Sequence, residues 1–119
     1  MLEGGQPDKP AILVLTSGHP AIENEVLAGI EEEGVPYVIE RLEAGEPAIA
    51  LARHASDRSS LEVGVGIDRQ GRVAILHAKL RAPVPGLYSE EAATPELARI
   101  AGHNAARIVV GIPLRESRR

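Results

Sequence analysis

The sequence predicts a three-layer α/β/α domain on a mainly parallel, mixed sheet of four to five strands, one of them antiparallel. Two observations lead to this fold class. Strand-like and helix-like segments alternate along the chain, which favours parallel strands with helices on both faces of the sheet. A four-residue turn, Asp68–Gly71, joins two further strand-like segments and forces that pair to run antiparallel.

The first half of the chain predicts two strands, each followed by a helix. Ala11–Thr16 is a continuous apolar run, as is typical of a strand buried on both faces. A helix begins at Pro20, because proline suits a first helical turn and apolar residues then recur every four positions. The second strand covers Val35–Leu42, and an alanine-rich helix follows from Gly45 to about Ser56. The apolar stripe of the first helix comprises Ile22, Val26 and Ile30, with Leu27 beside it. The acidic residues expected mostly outside that stripe are Glu23, Glu25 and Glu31–Glu33.

The second half predicts a hairpin and a long final helix. Glu62–Ile67 and Arg72–His77 are the two hairpin strands. Lys79–Ala93 is an extended loop or an edge strand, because it contains prolines that cannot donate to a sheet. The last helix covers Pro95–Val110, with Thr94 as its N-terminal cap. Its expected buried stripe comprises Leu97, Ile100, Ala101, Ala105, Ile108 and Val109.

Composition limits the domain organisation and the class of function. With 119 residues, of which 44% are hydrophobic, the chain is expected to form one domain over residues 11–115. Residues 1–10 are interpreted as a flexible lead-in and residues 116–119 as a tail. A net charge of −4 and 2% aromatic residues argue against nucleic-acid binding. Cysteine is absent, which excludes disulfides. No apolar run approaches the roughly 20 residues of a membrane span, so we expect a cytoplasmic protein.

No motif of the chain predicts catalysis. Gly64 and Gly66 superficially resemble a dinucleotide-binding loop, but they lie within a strand, where close backbone packing is expected. The serines lack the context of a nucleophile, and there is no phosphate-binding loop. The histidines have no metal-ligand spacing, and no role is assigned to them: His19, His54, His77 and His103. We therefore expect no enzymatic activity from this chain alone.

Two helix ends share the same glycine and proline pattern. Gly34 and Gly111 suit the left-handed conformation that ends many helices. Pro36 and Pro113 follow two residues later and prevent each helix from resuming. The first end carries three consecutive glutamates, and the second follows an Asn-Ala-Ala-Arg run.

Four segments in this order resemble a known family: AILVLTSG, LAGIEEEGVPY, VGVGIDRQGRVAILHAKL and GHNAARIVVGIPLRE. Over residues 11–115 the chain is similar to the small subunits of the reactivating factors of adenosylcobalamin-dependent diol and glycerol dehydratases. That family is related to the medium subunit of the dehydratases themselves. The resemblance implies the three-layer mixed-sheet fold that the pattern of elements also predicts.

The resemblance also implies a function. The chain would be a non-catalytic subunit of a chaperone-like factor whose large subunit carries an Hsp70-like ATPase domain. The small subunit would leave the large subunit, whose exposed surface would then bind the inactivated dehydratase and release its damaged cobalamin. This chain alone would bind neither ATP nor cobalamin. Association with a bacterial microcompartment is compatible with this family.

The acidic triplet Glu31-Glu32-Glu33 is the first candidate site. Carboxylates at a helix C-terminus repel one another and face the negative end of the helix dipole. The residues alone allow two interpretations, a solvated acidic face or a divalent cation shared with a partner. The resemblance favours the second and implies that Glu32 binds magnesium at the contact with the large subunit. Glu31 and Glu33 would lie in the same interface as exposed charges, and removing any of these carboxylates should hardly change the fold.

The final helix supplies the second candidate site. Asn104 and Arg107 are three positions apart and share a helix face, with small residues between them that allow another backbone to approach. They are candidate residues of the partner interface. The alternative is that Gly102 and the alanines pack against the sheet of the chain itself while Arg107 extends toward water.

Two other functions stay open from the sequence. The chain could be a free-standing or truncated dehydratase medium subunit, although the medium subunits of the family are expected to be longer. It could also be a small-molecule-binding α/β domain, although it shows no coherent set of acid, base and nucleophile.

Overall fold

The computed structural model describes residues 10–43, 45–80, 84 and 86–116 of the chain. Seven elements follow one another in these residues: β1 (Ile12–Thr16), α1 (Pro20–Glu32), β2 (Tyr37–Arg41), α2 (Ala48–Arg58), β3 (Val63–Ile67), β4 (Val73–His77) and α3 (Pro95–Val110). The predicted lead-in lies outside the described residues except for Pro10, and so does the predicted tail except for Glu116. No helix in the described part is long and apolar enough to cross a membrane.

The strands form one mixed sheet in the order β2-β1-β3-β4. β1 is parallel to both of its neighbours, with Val14 opposite Ile39 on β2 and opposite Val65 on β3. β3 and β4 are antiparallel, with Val65 opposite Ile75. This is the mainly parallel sheet with one antiparallel strand that the sequence predicts.

Helices cover both faces of the sheet and complete three layers. On one face, α1 and α3 bury aliphatic side chains such as Val26 and Ala105 against Val14 and Val65. On the other face, α2 places Leu51 against Leu15. Alternate residues of the buried strands thus serve different helices, which explains why β1 and β3 are apolar without interruption.

Glycine lets α2 lie unusually close to the sheet. A Cβ atom on Gly64 would overlap the backbone of Ala55 and Ser56, and one on Gly66 would overlap the carbonyl oxygen of Ala48. This confirms that these two glycines serve close packing.

The hairpin turn is built around a buried carboxylate. Asp68 Oδ1 accepts hydrogen bonds from the backbone N–H groups of Gln70 (3.0 Å) and Arg72 (2.9 Å). Its Oδ2 accepts from Arg72 Nε at 2.9 Å. The turn glycine, Gly71, has a φ of +87°, a conformation that strongly favours glycine. The side chain of Asp68 thus fixes the turn that makes β4 antiparallel.

α3 has the predicted bounds at both ends. The Thr94 side chain accepts a hydrogen bond from Leu97 N at 3.1 Å, and Gly111 ends the helix with a φ of +77°. The predicted buried stripe is only partly right, because Leu97 is 38% exposed, whereas Ile100 and Ala105 are buried. At the end of α1, Gly34 is left-handed as well, with a φ of +79°.

Other element bounds differ slightly from the prediction. β2 begins at Tyr37 rather than at Val35, and α2 extends over Ala48–Arg58 rather than from Gly45 to Ser56. The described part of the segment after β4 is a loop rather than an edge strand. It contributes one isolated bridge between Ala74 and Tyr88.

Candidate functional site

Two glycines bring α1 and α3 into close contact. A Cβ atom on Gly29 would overlap the carbonyl oxygen of Arg99, and a Cβ atom on Gly102 would overlap that of Val26. The helices therefore touch through their backbones at this crossing. Gly102 thus packs against α1 of the same chain rather than against the sheet.

Charged side chains join the two helices beside the crossing. The pairs run from Glu25 and Glu32 on α1 to Arg99 on α3, then from Glu32 and Glu33 to His103, and from Glu33 to Arg107. We call these residues the charge ladder: Glu25, Glu32 and Glu33 on α1 and at its end, and Arg99, His103 and Arg107 on α3. The three basic residues are spaced four apart and therefore form one stripe along α3.

His103 occupies the centre of the ladder with both of its ring nitrogens. Nε2 lies 2.8 Å from Glu32 Oε1, and Nδ1 lies 2.6 Å from Glu33 Oε2. Both nitrogens can donate to carboxylates only when the imidazole is protonated. The geometry thus fits an imidazolium that links two adjacent carboxylates. Sequence analysis assigned no role to His103, because it considered the histidines only as metal ligands.

Of the three consecutive glutamates, Glu33 is the least exposed, and its carboxylate contacts both His103 and Arg107. Its side chain is 13% exposed, and its Oε2 also accepts from Arg107 Nε at 2.8 Å. Hydrogen bonds from His103 and Arg107 hold the pKa of Glu33 below its ordinary value. The expectation that Glu33 is a freely exposed charge is wrong, because α3 supplies two donors for its carboxylate.

Glu31 lies apart from the ladder. Its Oε2 accepts a hydrogen bond from the Tyr37 hydroxyl at 2.9 Å, at an exposed position at the start of β2. This hydrogen bond is the main cause that raises the pKa of Tyr37 above its ordinary value. A solvated acidic face, the other interpretation of the triplet, thus describes Glu31 but not Glu33.

Asn104 and Arg107 both bind the segment that follows α3. Asn104 is 2% exposed; its Nδ2 donates to the carbonyl of Arg115 (3.0 Å), and its Oδ1 accepts from the N–H of Arg115 (2.7 Å). Arg107 Nη1 donates to the carbonyl of Pro113 at 3.2 Å. The structure thus places both candidate residues on contacts within the chain, Asn104 with the C-terminal segment and Arg107 with that segment and the charge ladder.

Glu23 forms a second, buried polar site that sequence analysis missed. The side chain was expected mostly outside the apolar stripe, yet it is 1% exposed. The Thr16 hydroxyl donates to Oε2 at 2.7 Å, and Arg41 Nη2 donates to Oε1 at 2.8 Å. Burial alone would raise the pKa of Glu23, but these bonds and one from the N–H of His19 lower it overall. Glu23 therefore stays charged and joins α1 to the ends of β1 and β2.

The surroundings of Glu32 decide whether it can bind a metal ion. Its oxygens accept from His103 and Arg99, which uses two of the roughly four lone pairs of a carboxylate. The side chain is 49% exposed, and magnesium prefers hard oxygen ligands. Within the described residues, no group of three or more His, Cys, Asp or Glu side chains could hold a metal ion. The chemistry of the exposed Glu32 carboxylate therefore fits a hard cation, but the described residues do not by themselves supply a complete metal site.

These features define a class of protein. The chain is a three-layer α/β/α domain in which five ion pairs join α1 and its end to α3, while the Glu32 side chain stays half-exposed. It belongs to the dehydratase medium subunit family, whose family model matches residues 9–115.

Curated relatives match nearly the whole chain. The diol dehydratase-reactivating factor small subunit of Klebsiella michiganensis is 37% identical over 114 residues, which cover 94% of this chain and 89% of that protein. The propanediol dehydratase-reactivating factor small subunit of Salmonella typhimurium is 36% identical and is covered to 91% of its length. These matches confirm the family that the four sequence segments indicate.

Solved structures confirm the fold class. A glycerol dehydratase reactivase chain superposes with a TM-score of 0.81 at 32% identity, and the match covers 91% of this chain and 98% of that one. A chain of a diol dehydratase-reactivating factor complexed with ADP and Mg²⁺ gives a TM-score of 0.77 at 36% identity. That match covers 92% of this chain and 100% of the other.

Proposed function

We propose that this chain is the non-catalytic small subunit of a diol or glycerol dehydratase-reactivating factor. The observation that carries the proposal is the near-complete match, in sequence and in fold, to small subunits that bear this name. Two-subunit factors imply a larger partner, and we assign the ATPase activity to that partner. The absence of a phosphate-binding loop from the sequence supports this division of labour.

The small subunit would act by occupying and vacating one surface of the large subunit. When it leaves, the inactivated dehydratase would bind that surface, so that damaged cobalamin is released and intact cofactor can enter. Such an exchange requires two partners of similar affinity for one surface, with the nucleotide on the large subunit tipping the balance. A domain that keeps its shape when free suits this role, and the charge ladder supplies rigidity where α1 and α3 meet.

The contact with the large subunit would include the outward face of the α1 C-terminus. Glu32 would donate a carboxylate oxygen to magnesium there, and the partner would supply the remaining ligands. When bound, the ion would add a positive charge between carboxylates of two chains. Arg99 and His103 would hold the Glu32 side chain in place for this contact. Glu31 would lie at the rim of the contact, while Glu33, Asn104 and Arg107 would support it from within the chain.

A dehydratase medium subunit is the second candidate. The family description itself favours it, because the matching family model is named for that subunit. The two candidates differ in their partners, since a medium subunit would assemble with the large and small subunits of the dehydratase rather than with an ATPase.

Co-purification from the native host tests the proposal. We expect an affinity-tagged chain to retain a large ATPase subunit, and the purified complex to restore activity to an inactivated dehydratase only with ATP and fresh adenosylcobalamin. Retention of dehydratase subunits without an ATPase would support the second candidate. A purified complex that does not reactivate the enzyme would contradict the first.

A further inference from the structure

A wide groove lies between α3, the loop before it and the segment after it. Its volume is ≈ 1210 Å³, and it opens to solvent. Ile75 on β4 and Ile100 on α3 are among the buried residues of its lining, which we call its floor, and Leu114 lines it from the C-terminal segment. Both walls are fixed to the domain. The N–H of Ile75 donates to the carbonyl of Leu87 at 2.7 Å, and Asn104 forms the two hydrogen bonds with Arg115.

Large apolar side chains are exposed in this groove. Val84 is 37% exposed, Leu97 is 38% exposed and Leu114 is 41% exposed, and all three line it. Seven large apolar side chains of the described residues are exposed, so nearly half of them share this one concave surface. Clustered exposure of this kind marks a contact surface more often than single exposed residues do.

The charged residues of the groove are mostly acidic. Glu90, Glu91 and Glu116 line it together with one cation, Arg115. None of these four side chains forms a salt bridge with another described residue. Counted over the described residues alone, the groove thus carries two excess negative charges that none of them pairs.

The groove is separate from the charge ladder. None of the six ladder residues lines the groove, and the two meet only at its edge, where Arg107 donates to the carbonyl of Pro113. A ligand in the groove would therefore leave the outward face of Glu32 accessible.

We propose that this groove docks a polypeptide segment of the large partner subunit, with apolar side chains on the floor and lysine or arginine side chains at the acidic edge. The inference rests on the proposed function, from which it takes the partner. Charge complementarity selects the chemistry of the segment, because an acidic surface attracts cationic side chains and repels phosphate groups. A second copy of this chain fits less well, since a symmetric contact would place the same carboxylates against one another.

Titration of the purified large subunit with variants of the full-length chain tests the proposal. Leu97→Asp should weaken binding about tenfold or more, because it puts a charge where apolar contact is expected. The double variant Glu90→Lys with Glu91→Lys should weaken binding roughly fivefold at low salt and less at high salt. Ile49→Asp is the matched control, since Ile49 is 37% exposed on α2, beyond the other face of the sheet. It should change affinity less than about twofold.

The outcomes separate this inference from the proposed function. Binding of the wild-type chain together with unchanged affinity of both groove variants would overturn the inference and leave the proposed function intact. No binding of the wild-type chain to the large subunit would overturn both. The inference would also be overturned if the groove variants lost affinity only for the dehydratase or only for a second copy of the chain. Either result would assign the groove to a different occupant. Circular dichroism checks that Leu97→Asp stays folded. The double lysine variant changes only exposed side chains, so it tests the groove without disturbing the core.

Discussion

Gly29 and Gly102 face each other where α1 and α3 cross, and neither can carry a side chain without overlapping the backbone of the other helix. This contact sets the distance between the helices and thereby brings the residues of the charge ladder within hydrogen-bonding reach. The candidate site is therefore a consequence of helix packing, and its geometry depends on two residues that have no side chain.

Gly102→Ala should destabilise the fold. Alanine favours a helix over glycine by about 1 kcal/mol. However, the added methyl group would overlap the carbonyl oxygen of Val26, which cannot move without separating the helices. Overpacking of this kind costs about 1–3 kcal/mol, so we expect a net loss in the free energy of unfolding. Urea unfolding of both proteins would measure it.

Gly45→Ala is the matched control for that variant. A Cβ atom on Gly45 would meet only the flexible side chain of Arg69, at 3.6 Å. Its effect should be below about 0.5 kcal/mol, as for most surface substitutions. Equal stabilities of the two variants would contradict the close helix crossing.

Acid should remove the contribution of Glu33 to stability. Because the pKa of Glu33 is lower in the folded chain than its ordinary value of 4.5, the ionised carboxylate stabilises the fold above that value. This contribution is lost as the pH falls through the folded pKa. Glu33→Gln should therefore be less stable than the wild type near pH 6, and the difference should shrink toward about pH 3. Thermal unfolding across this range would measure it, and a constant difference would contradict the ion pairs.

Asn104→Ala should release the segment after α3. The variant loses both hydrogen bonds to the backbone of Arg115, at a cost of about 1–2 kcal/mol. Amide exchange of Arg115 should become much faster, while exchange within β1 should change little. Asn24→Ala, at an exposed position of α1, serves as the control and should leave the exchange of Arg115 unchanged.

Local signals in the sequence predict the fold well. Thr94, Pro95 and Gly111 define α3 because capping chemistry depends on immediate neighbours. Asp68 predicts the hairpin for the same reason, since it binds residues two and four positions further on. Leu97 was placed wrongly because periodicity identifies an apolar face but not whether another element covers it.

The candidate site depends on contacts that the sequence does not reveal. His103 lies 70 positions from Glu33 in the chain, and only the helix crossing brings the two together. Glu23 is buried for a similar reason, because its partner Arg41 lies 18 positions away at the end of the neighbouring strand. The family resemblance implies a role for Glu32, but it does not predict that Arg99 and His103 bind its carboxylate.

Removing the carboxylate of Glu32 should weaken assembly with the large subunit more than removing that of Glu31. If magnesium lies at the subunit contact, Glu32→Gln would take a charged ligand from it, whereas Glu31→Gln would remove an exposed charge worth less than about 1 kcal/mol. Glu33 is unsuitable as a control, because its carboxylate holds His103 and Arg107 and its loss would disturb the fold. Glu31 is the matched control, since its carboxylate accepts from the exposed hydroxyl of Tyr37 and takes no part in the charge ladder.

Titrating the large subunit with both variants, with and without magnesium, would measure this difference. The wild-type chain should bind more tightly when magnesium is present, and Glu32→Gln should lose most of that gain while Glu31→Gln keeps it. Glu32→Gln also weakens the bonds of this side chain to Arg99 and His103, which should lower the stability of the isolated chain slightly. Thermal unfolding of the isolated variants would measure this effect separately from assembly. Equal affinities of the two variants, or a loss that does not depend on magnesium, would show that Glu32 serves only to join α1 to α3.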